Sequence, residues 1–517
     1  MIEPLDEPLR KIARGTTIAL VGMVLGTFLT LIIRLVIARY GLQVNYGIFS
    51  LALVVLHLAN VVAGLGLLRG STRYIAYFRG RKEKDKIRGV MSASLWLSGS
   101  TSILIGLVIF FSAEYIATSL FHVAELAPAL KIFAAGIPFS TMTGILLSYF
   151  RGFDRIGPGI YFHNIGSNAI ILSLLIVIIA ASLSFNTVFY AYPVAIIVTF
   201  VVLVIYTIKK LPVRISLTNA SEVAPVLKEL TFFSLPLLGS AVMTMIMMRI
   251  DTLMLGFFKQ AEAVGLYNTA FPLAMFISEP LAALILIYVP VATGLYSQNR
   301  INEMNRAYTV STKWLVSLTL PVFLVLSTHP EAVLHLSFGQ GYLPAADALR
   351  ILSIGFIINN FLGPNGTALL TLGHTRFIMW ANMATAMLNI GLNMLLIPPL
   401  GIVGAAIASV TSITIINIVR SWKLYSLSRT HPLSKNLSKP VFISVVLVVI
   451  IDILTRSFIP ISVWMLPLLF ILYCAIYGLA MLLTRSFDLE DLALLTEIEK
   501  RSGIKATPLK KLLRRFM

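Results

Sequence analysis

The stretch from Thr16 to Ala38, TTIALVGMVLGTFLTLIIRLVIA, decides the fold. It carries a single charged residue, Arg34. It also exceeds the roughly 20 mostly apolar residues with which an α-helix crosses the hydrocarbon core of a bilayer. Its Leu, Ile, Val and Ala are continuous rather than alternating, so it reads as a helix and not as a lipid-facing barrel strand. It is too long for the apolar segment of a signal peptide and ends at Arg39-Tyr40 rather than at small residues. Similar runs follow along the whole chain, near 46–68, 89–111, 129–150, 159–181, 188–208, 231–254, 267–292, 310–328, 348–371, 377–398, 401–422, 439–456 and 462–484. With the first run they predict an all-α, polytopic membrane protein of about 14 transmembrane helices.

Composition agrees with that reading. The 517 residues are 58% hydrophobic and only 12% charged, with a mean hydropathy of +0.89. A soluble domain carries about one quarter charged residues, so this chain cannot cover a globular surface. That excludes a cytosolic enzyme, a disordered protein and a disulfide scaffold. The lone Cys474 gives no disulfide framework, and the seven histidines lack zinc-type spacing. No phosphate-binding G-x-x-x-x-G-K-[ST] loop occurs, so no cofactor is expected and any driving force would come from a coupling ion, H+ or Na+, or from the substrate's own gradient.

The net charge of +19 is a matter of topology. With the N-terminus inside, Lys and Arg collect in the loops of one side, most densely in RGRKEKDKIR from Arg79 to Arg88. The opposite loops hold only Arg39, Lys259 and Arg456. Positive residues accumulate in cytoplasmic loops, so both termini are expected in the cytoplasm of a multi-pass cell-membrane protein, with no nucleic-acid partner. The tail ends in PLKKLLRRFM, leucines on one side and cations on the other, as suits a short helix on an anionic leaflet or a solvated tail.

The chain also repeats itself. IIRLVIA from Ile32 matches MMRIDTL from Met247, with Arg34 over Arg249. YGIFSLA from Tyr46 matches VGLYNTA from Val264, and ALKIFAAGI from Ala129 matches ALRILSIGF from Ala348. Six spans shifted by six keep their orientation, so the halves are expected to be parallel six-helix repeats with a substrate path between them. The expected organisation is an N-terminal lobe (1–210), a cytoplasmic linker (211–230), a C-terminal lobe (231–425), an added transmembrane hairpin (438–484) and a basic tail (485–517).

Charged groups within the membrane are costly and default to function. Six fall there on this reading: Arg34, Lys131, Arg249, Arg350, Asp251 and Glu279. Arg249 and Asp251 are two residues apart, a rotation of about 200° on a helix, so they face opposite ways and each needs its own partner. Arg34 is one candidate partner for Asp251, which would lock the two lobes; snorkelling of Arg34 to the interface is another role. Glu279, before Pro280 in FISEPLAALI, suits a proton or sodium site beside a kinked helix, or a hydrogen bond to a neighbouring helix. Lys131 and Arg350 are either interface anchors or, with Arg34 and Arg249, a cationic lining for an anionic group. The asparagines in the spans, such as Asn60, Asn168, Asn360, Asn389 and Asn393, suit helix packing first and sugar hydroxyls second.

RIDTLMLG followed by VGLYNTA, YFRGFDRIG after the fourth span, and LNMLLIPPLGIVGAAIAS at the eleventh-to-twelfth junction resemble the polysaccharide-biosynthesis branch of the multidrug/oligosaccharidyl-lipid/polysaccharide exporter superfamily. The resemblance implies two six-helix bundles around a central cavity and alternating access, with no enzymatic chemistry. It implies as substrate a polyprenyl-type phosphate or pyrophosphate bearing an oligosaccharide, held by cationic side chains, here Arg34 and Arg249 with Asp251 beside them. Membrane lipids, and the glycan polymerases or transferases that use the product, are the implied partners. The rivals are a cation-coupled multidrug exporter of the same superfamily, a lipid II-type peptidoglycan precursor flippase, and a membrane-embedded glycosyltransferase. Four cations against two carboxylates in the spans favour an anionic substrate, and the outer loops are short for a glycosyltransferase.

Overall fold

The computed structural model describes residues 7–213, 220–432, 435–458 and 465–488. The PLKKLLRRFM tail lies outside the described residues. Among them there is no strand, and the helices run α1 (Glu7–Ala63), α2 (Leu67–Gly80), α3 (Lys84–Tyr115), α4 (Leu126–Ala134), α5 (Ile137–Gly152), α6 (Ser167–Ala180), α7 (Asn186–Lys210), α8 (Ala220–Phe258), α9 (Ala261–Met275), α10 (Glu279–Ser297), α11 (Ile301–Thr328), α12 (Pro330–Phe338), α13 (Ala346–Phe361), α14 (Asn365–Thr371), α15 (Thr375–Ser428), α16 (Lys435–Phe458) and α17 (Leu466–Leu483). The chain is an all-α, multi-pass membrane protein.

Ten helical segments among the described residues are long and apolar enough to cross a membrane, eleven if α4 and α5, bent by 43°, count as one. That is fewer than the fourteen separate spans expected, for identifiable local reasons. The first two expected spans share α1, which is broken at Leu42 (φ 57°, ψ −176°). The eleventh and twelfth share α15, broken at Gly401 (φ 57°, ψ −128°). The eighth, expected as one kinked helix over 267–292, is two helices separated at Phe276–Ser278. Pro280 sits in the first turn of α10 rather than inside a continuous helix. There its missing N–H costs nothing, because the first-turn amides have no intrahelical acceptor.

The chain packs as two compact units, residues 1–268 and 269–517. In the first, Leu67, Tyr74, Ile75, Met91, Tyr149, Phe150, Leu203 and Leu230 bring α2, α3, α5, α7 and α8 into one core. α3 turns Ser92, Ser94, Ser98 and Ser102 inward, all fully buried. Small residues let helices approach closely in lipid, where apolar burial alone does not drive association. The Ser94 hydroxyl lies 2.7 Å from the Tyr149 hydroxyl, which donates in turn to the Met91 carbonyl. At the far end of α1, Gly47 crosses α9 so tightly that a Cβ there would collide with the carbonyl oxygen of Ala261.

In the second unit, Val316, Leu320 and Leu324 of α11 pack against Val448 of α16 and Leu469, Tyr473 and Tyr477 of α17. Polar contacts fix the same hairpin. Lys313, 2% exposed, bonds to Asp488 at 2.7 Å and to the Ser486 carbonyl at 3.0 Å. Sixteen residues further along α11, His329 Nε2 lies 3.3 Å from Asp452 Oδ1 of α16. Between them Ser317 Oγ stands 2.9 Å from the Tyr477 hydroxyl. Lys313 and Asp452 lie within the expected spans 310–328 and 439–456 yet are missing from the six charged residues read there; the structure places both inside helices.

Candidate functional site

α1 supplies most of the site in the first unit because it turns back on itself. In a straight helix Arg34 and Tyr46 would be about 18 Å apart along the axis. The break at Leu42 instead brings the Arg34 guanidinium within interaction reach of the Tyr46 hydroxyl, whose side chain is fully buried. Tyr46 also donates to the Asn268 carbonyl at 3.3 Å. Arg249, on α8, is close enough to Arg34 for the two guanidinium groups to act on each other electrostatically, and on Tyr46 and Tyr192. The Tyr192 ring, on α7, is set by stacking on Phe133 with centroids 5.7 Å apart and by an edge contact with Phe49 at 5.8 Å. His57, on the second arm of α1, is within electrostatic reach of both arginines.

The two cations therefore share one partly buried place lined by phenols, and among the described residues neither has a carboxylate partner. Two guanidinium groups near each other in a medium of low dielectric repel strongly unless an anion neutralises them. Guanidinium forks and phenolic hydroxyls are all groups that can donate hydrogen bonds to an anion.

Asp251 does not join them. It is 6% exposed on the opposite side of α8 and accepts a hydrogen bond of 2.7 Å from the Tyr267 hydroxyl of α9. Asn268, next to Tyr267, is joined to Thr252 at 3.2 Å, so α8 and α9 are stitched together at adjacent residues. Arg34, weighed as the partner of Asp251, is directed to Tyr46 instead.

The other two expected cations have acidic partners within their own units. Lys131 of α4 pairs with Glu114 at 3.8 Å, both substantially exposed. Arg350 of α13 bonds to Asp347 at 2.9 Å, to Glu331 at 3.1 Å and to the Ser327 carbonyl at 3.0 Å, tying α11, α12 and α13 together. Glu279 begins α10 directly after the chain break, half-buried, in the second unit.

The asparagines mostly join helices. Asn60 accepts from Ser140 at 2.6 Å and Thr141 at 3.1 Å, and Asn168 donates to the Thr30 hydroxyl at 3.0 Å and the Gly26 carbonyl at 3.3 Å. Asn360 donates to the Ile277 carbonyl at 2.6 Å. Sequence reasoning missed His57 and Arg420. The signal for both was present, an ionisable residue inside an apolar run. Among the described residues no group of three or more His, Cys, Asp or Glu is placed to hold a metal ion.

Comparison with known proteins bears on this site. The family described as "Polysaccharide biosynthesis protein" matches residues 12–294, more than half of the chain. A second family, MatE, matches residues 236–395. The "Uncharacterized membrane protein MJ1068" of Methanocaldococcus jannaschii is 23% identical over 471 residues, 87% of this chain and 90% of that protein. The "Probable low-salt glycan biosynthesis flippase Agl15" of Haloferax volcanii is 26% identical over 179 residues, 34% of this chain and 37% of that protein. A solved structure of the lipid II flippase MurJ in an inward closed conformation superposes with a TM-score of 0.68 at 16% identity, covering 92% of this chain and 99% of that one. That likeness is one of fold.

Proposed function

Because the chain belongs to the polysaccharide biosynthesis protein family, within the multidrug/oligosaccharidyl-lipid/polysaccharide exporter superfamily, we propose that it is a flippase, not an enzyme, that moves a lipid-linked oligosaccharide from the cytoplasmic to the outer leaflet of the cell membrane. The observation that carries this reading is the Arg34–Arg249 pair with Tyr46 and Tyr192 around it. A polyprenyl-type phosphate or pyrophosphate supplies the missing negative charge, and its oxygens accept from both guanidinium forks. The glycan stays with the polar groups while the hydrocarbon tail remains in lipid. No bond is made or broken; the protein lowers the cost of carrying a charged head group across the apolar core.

Orientation follows from the positive loops, with both termini in the cytoplasm. Glycan polymerases or transferases on the outer side would consume the product. Glu279 is the candidate coupling group for H+ or Na+: a carboxylate at a helix break can exchange a cation at modest cost. The similarity to Agl15 supports a glycan-bearing substrate. The MatE match over 236–395 supports the rival, a cation-coupled drug exporter. The likeness to MurJ supports the other, a flippase for a lipid II-type precursor.

The test is reconstitution of the full chain into vesicles holding a fluorescent polyprenyl-pyrophosphate oligosaccharide, with leaflet exchange read by a quencher outside. Exchange faster than in empty vesicles, and slower with Arg249→Gln, is expected. Transport of a lipophilic cation in place of the glycolipid would overturn the reading, and exchange confined to lipid II would reassign the glycan.

A further inference from the structure

Another guanidinium without a carboxylate partner among the described residues lies in the other unit. Arg420, near the end of α15, donates from Nη2 to the side-chain oxygen of Asn382, on the other arm of the same helix. No carboxylate pairs with it among the described residues. Its Nε is buried with no hydrogen-bond partner. Nη1 lies beside Gly366, which has no side chain; a Cβ there would stand 3.6 Å from it, at van der Waals contact.

The surroundings are amides and a hydroxyl rather than acids. Asn365 donates to the Asn417 carbonyl at 3.1 Å and to Ser421 Oγ at 3.0 Å, and Asn417 donates to Asn359 Oδ1 at 2.7 Å. These bonds fix the positions of α13, α14 and α15 around the arginine. Leaving such a donor set without an acceptor is costly for a desolvated ion, so the arrangement calls for an anion.

Its depth identifies the anion. Trp422 and Trp380 each stand two residues from the pair, at about 200° around their helix arms, and are 70% and 60% exposed. Outward tryptophans mark the headgroup level of a bilayer. Arg420 and Asn382 therefore face inward at the level where lipid phosphates lie, on the same membrane side as the basic junction from Ser421 to Lys439.

We propose that Arg420 and Asn382, bordered by Gly366, form a binding site for the phosphate of a lipid in the second unit. This deepens the flippase reading and rests on it only for the choice of polyprenyl phosphate as one source; an anionic phospholipid is the other.

The test is lipid retention by the full chain in neutral detergent, read by native mass spectrometry with three probes: a polyprenyl phosphate, phosphatidylglycerol and phosphatidylcholine. Both phosphate lipids that carry net charge are expected to bind, phosphatidylcholine weakly. R420Q is expected to lower their binding about tenfold, the loss of one charge-assisted hydrogen bond. R420K keeps the charge but not the fork and is expected between the two. Preference for the polyprenyl phosphate assigns the substrate, and equal binding assigns the phospholipid; either supports the site. Unchanged binding in R420Q that unfolds at the wild-type temperature overturns it. If R420Q fails to fold, Asn382→Leu is read in the same way. Binding is measured without transport, so its loss leaves the flippase reading standing, and absence of transport leaves the site standing.

Discussion

Gly47 and Gly265 occupy equivalent positions of the two sequence repeats and pack on each other. A Cβ on Gly47 would strike the Ala261 carbonyl, and one on Gly265 would strike that of Gln43, itself the repeat equivalent of Ala261. The contact is thus reciprocal. Arg34 and Arg249 are also equivalent in the repeats, and they too lie within electrostatic reach of each other. A local two-fold relation passes through the first unit, and the proposed anion site lies where the starts of both repeats converge.

The crossing tolerates no side chain. Gly47→Val and Gly265→Val should each lower stability by about 1–3 kcal/mol, the usual cost of overpacking. Gly239→Ala, at an exposed position in α8 with no neighbour within 4 Å, should be neutral or gain about 0.5–1 kcal/mol through helix propensity. Thermal unfolding of the three purified variants checks the order. Equal midpoints for Gly47→Val and the wild type would mean that the crossing yields easily.

If Arg34 and Arg249 hold the anionic head group as proposed, removing one of them should harm transport without harming the fold. Arg34→Gln and Arg249→Gln are each expected to slow glycolipid exchange by about tenfold to a hundredfold, the worth of about 1.5–3 kcal/mol of charge-assisted hydrogen bonding. Their unfolding midpoints should hold or rise, because one of two repelling charges has gone. A marked fall in midpoint would make the arginines structural.

The hairpin clamp offers a double-mutant cycle. Asp488→Ala should cost about 3 kcal/mol, at the low end for a broken buried pair because Asp488 is 29% exposed, since it removes the carboxylate from the buried Lys313 ammonium. Lys313→Met with Asp488→Leu should cost much less than the sum of the single changes. Calorimetric unfolding separates the cases, and strict additivity would show that the pair contributes nothing.

Glu279→Gln should remove the dependence of exchange on a proton or sodium gradient while leaving downhill exchange in place. Vesicles with imposed gradients of each ion provide the measurement. An unchanged ion response would remove Glu279 from the coupling role.

The class of fold was legible in the sequence, because a bilayer imposes length and apolarity on each helix and leaves little else to choose. Arg34 and Arg249 were legible through the repeat. What escaped depends on distant partners. Lys313 follows the basic loop of residues 300–309 and reads as its end; only Asp488, 175 residues away, makes it internal. Arg420 likewise abuts a basic junction, and the Asn382 that receives it is 38 residues earlier. The turn at Leu42 directly follows Gly41, a local breaker signal, but a single glycine does not say that Arg34 and Tyr46 would be brought together across it.

The pairs Lys313–Asp488 and His329–Asp452 stand about 24 Å apart along α11. A beam pinned at two separated points cannot swivel on its mount. α16 and α17 therefore travel with α11 as cargo of the same body, carrying Phe442, Ile453, Leu468 and Ile471 outward, all more than 60% exposed. Each tilt of α11 during a transport cycle must drag this greasy flank through the surrounding acyl chains, so the thickness and fluidity of the membrane become a load on turnover.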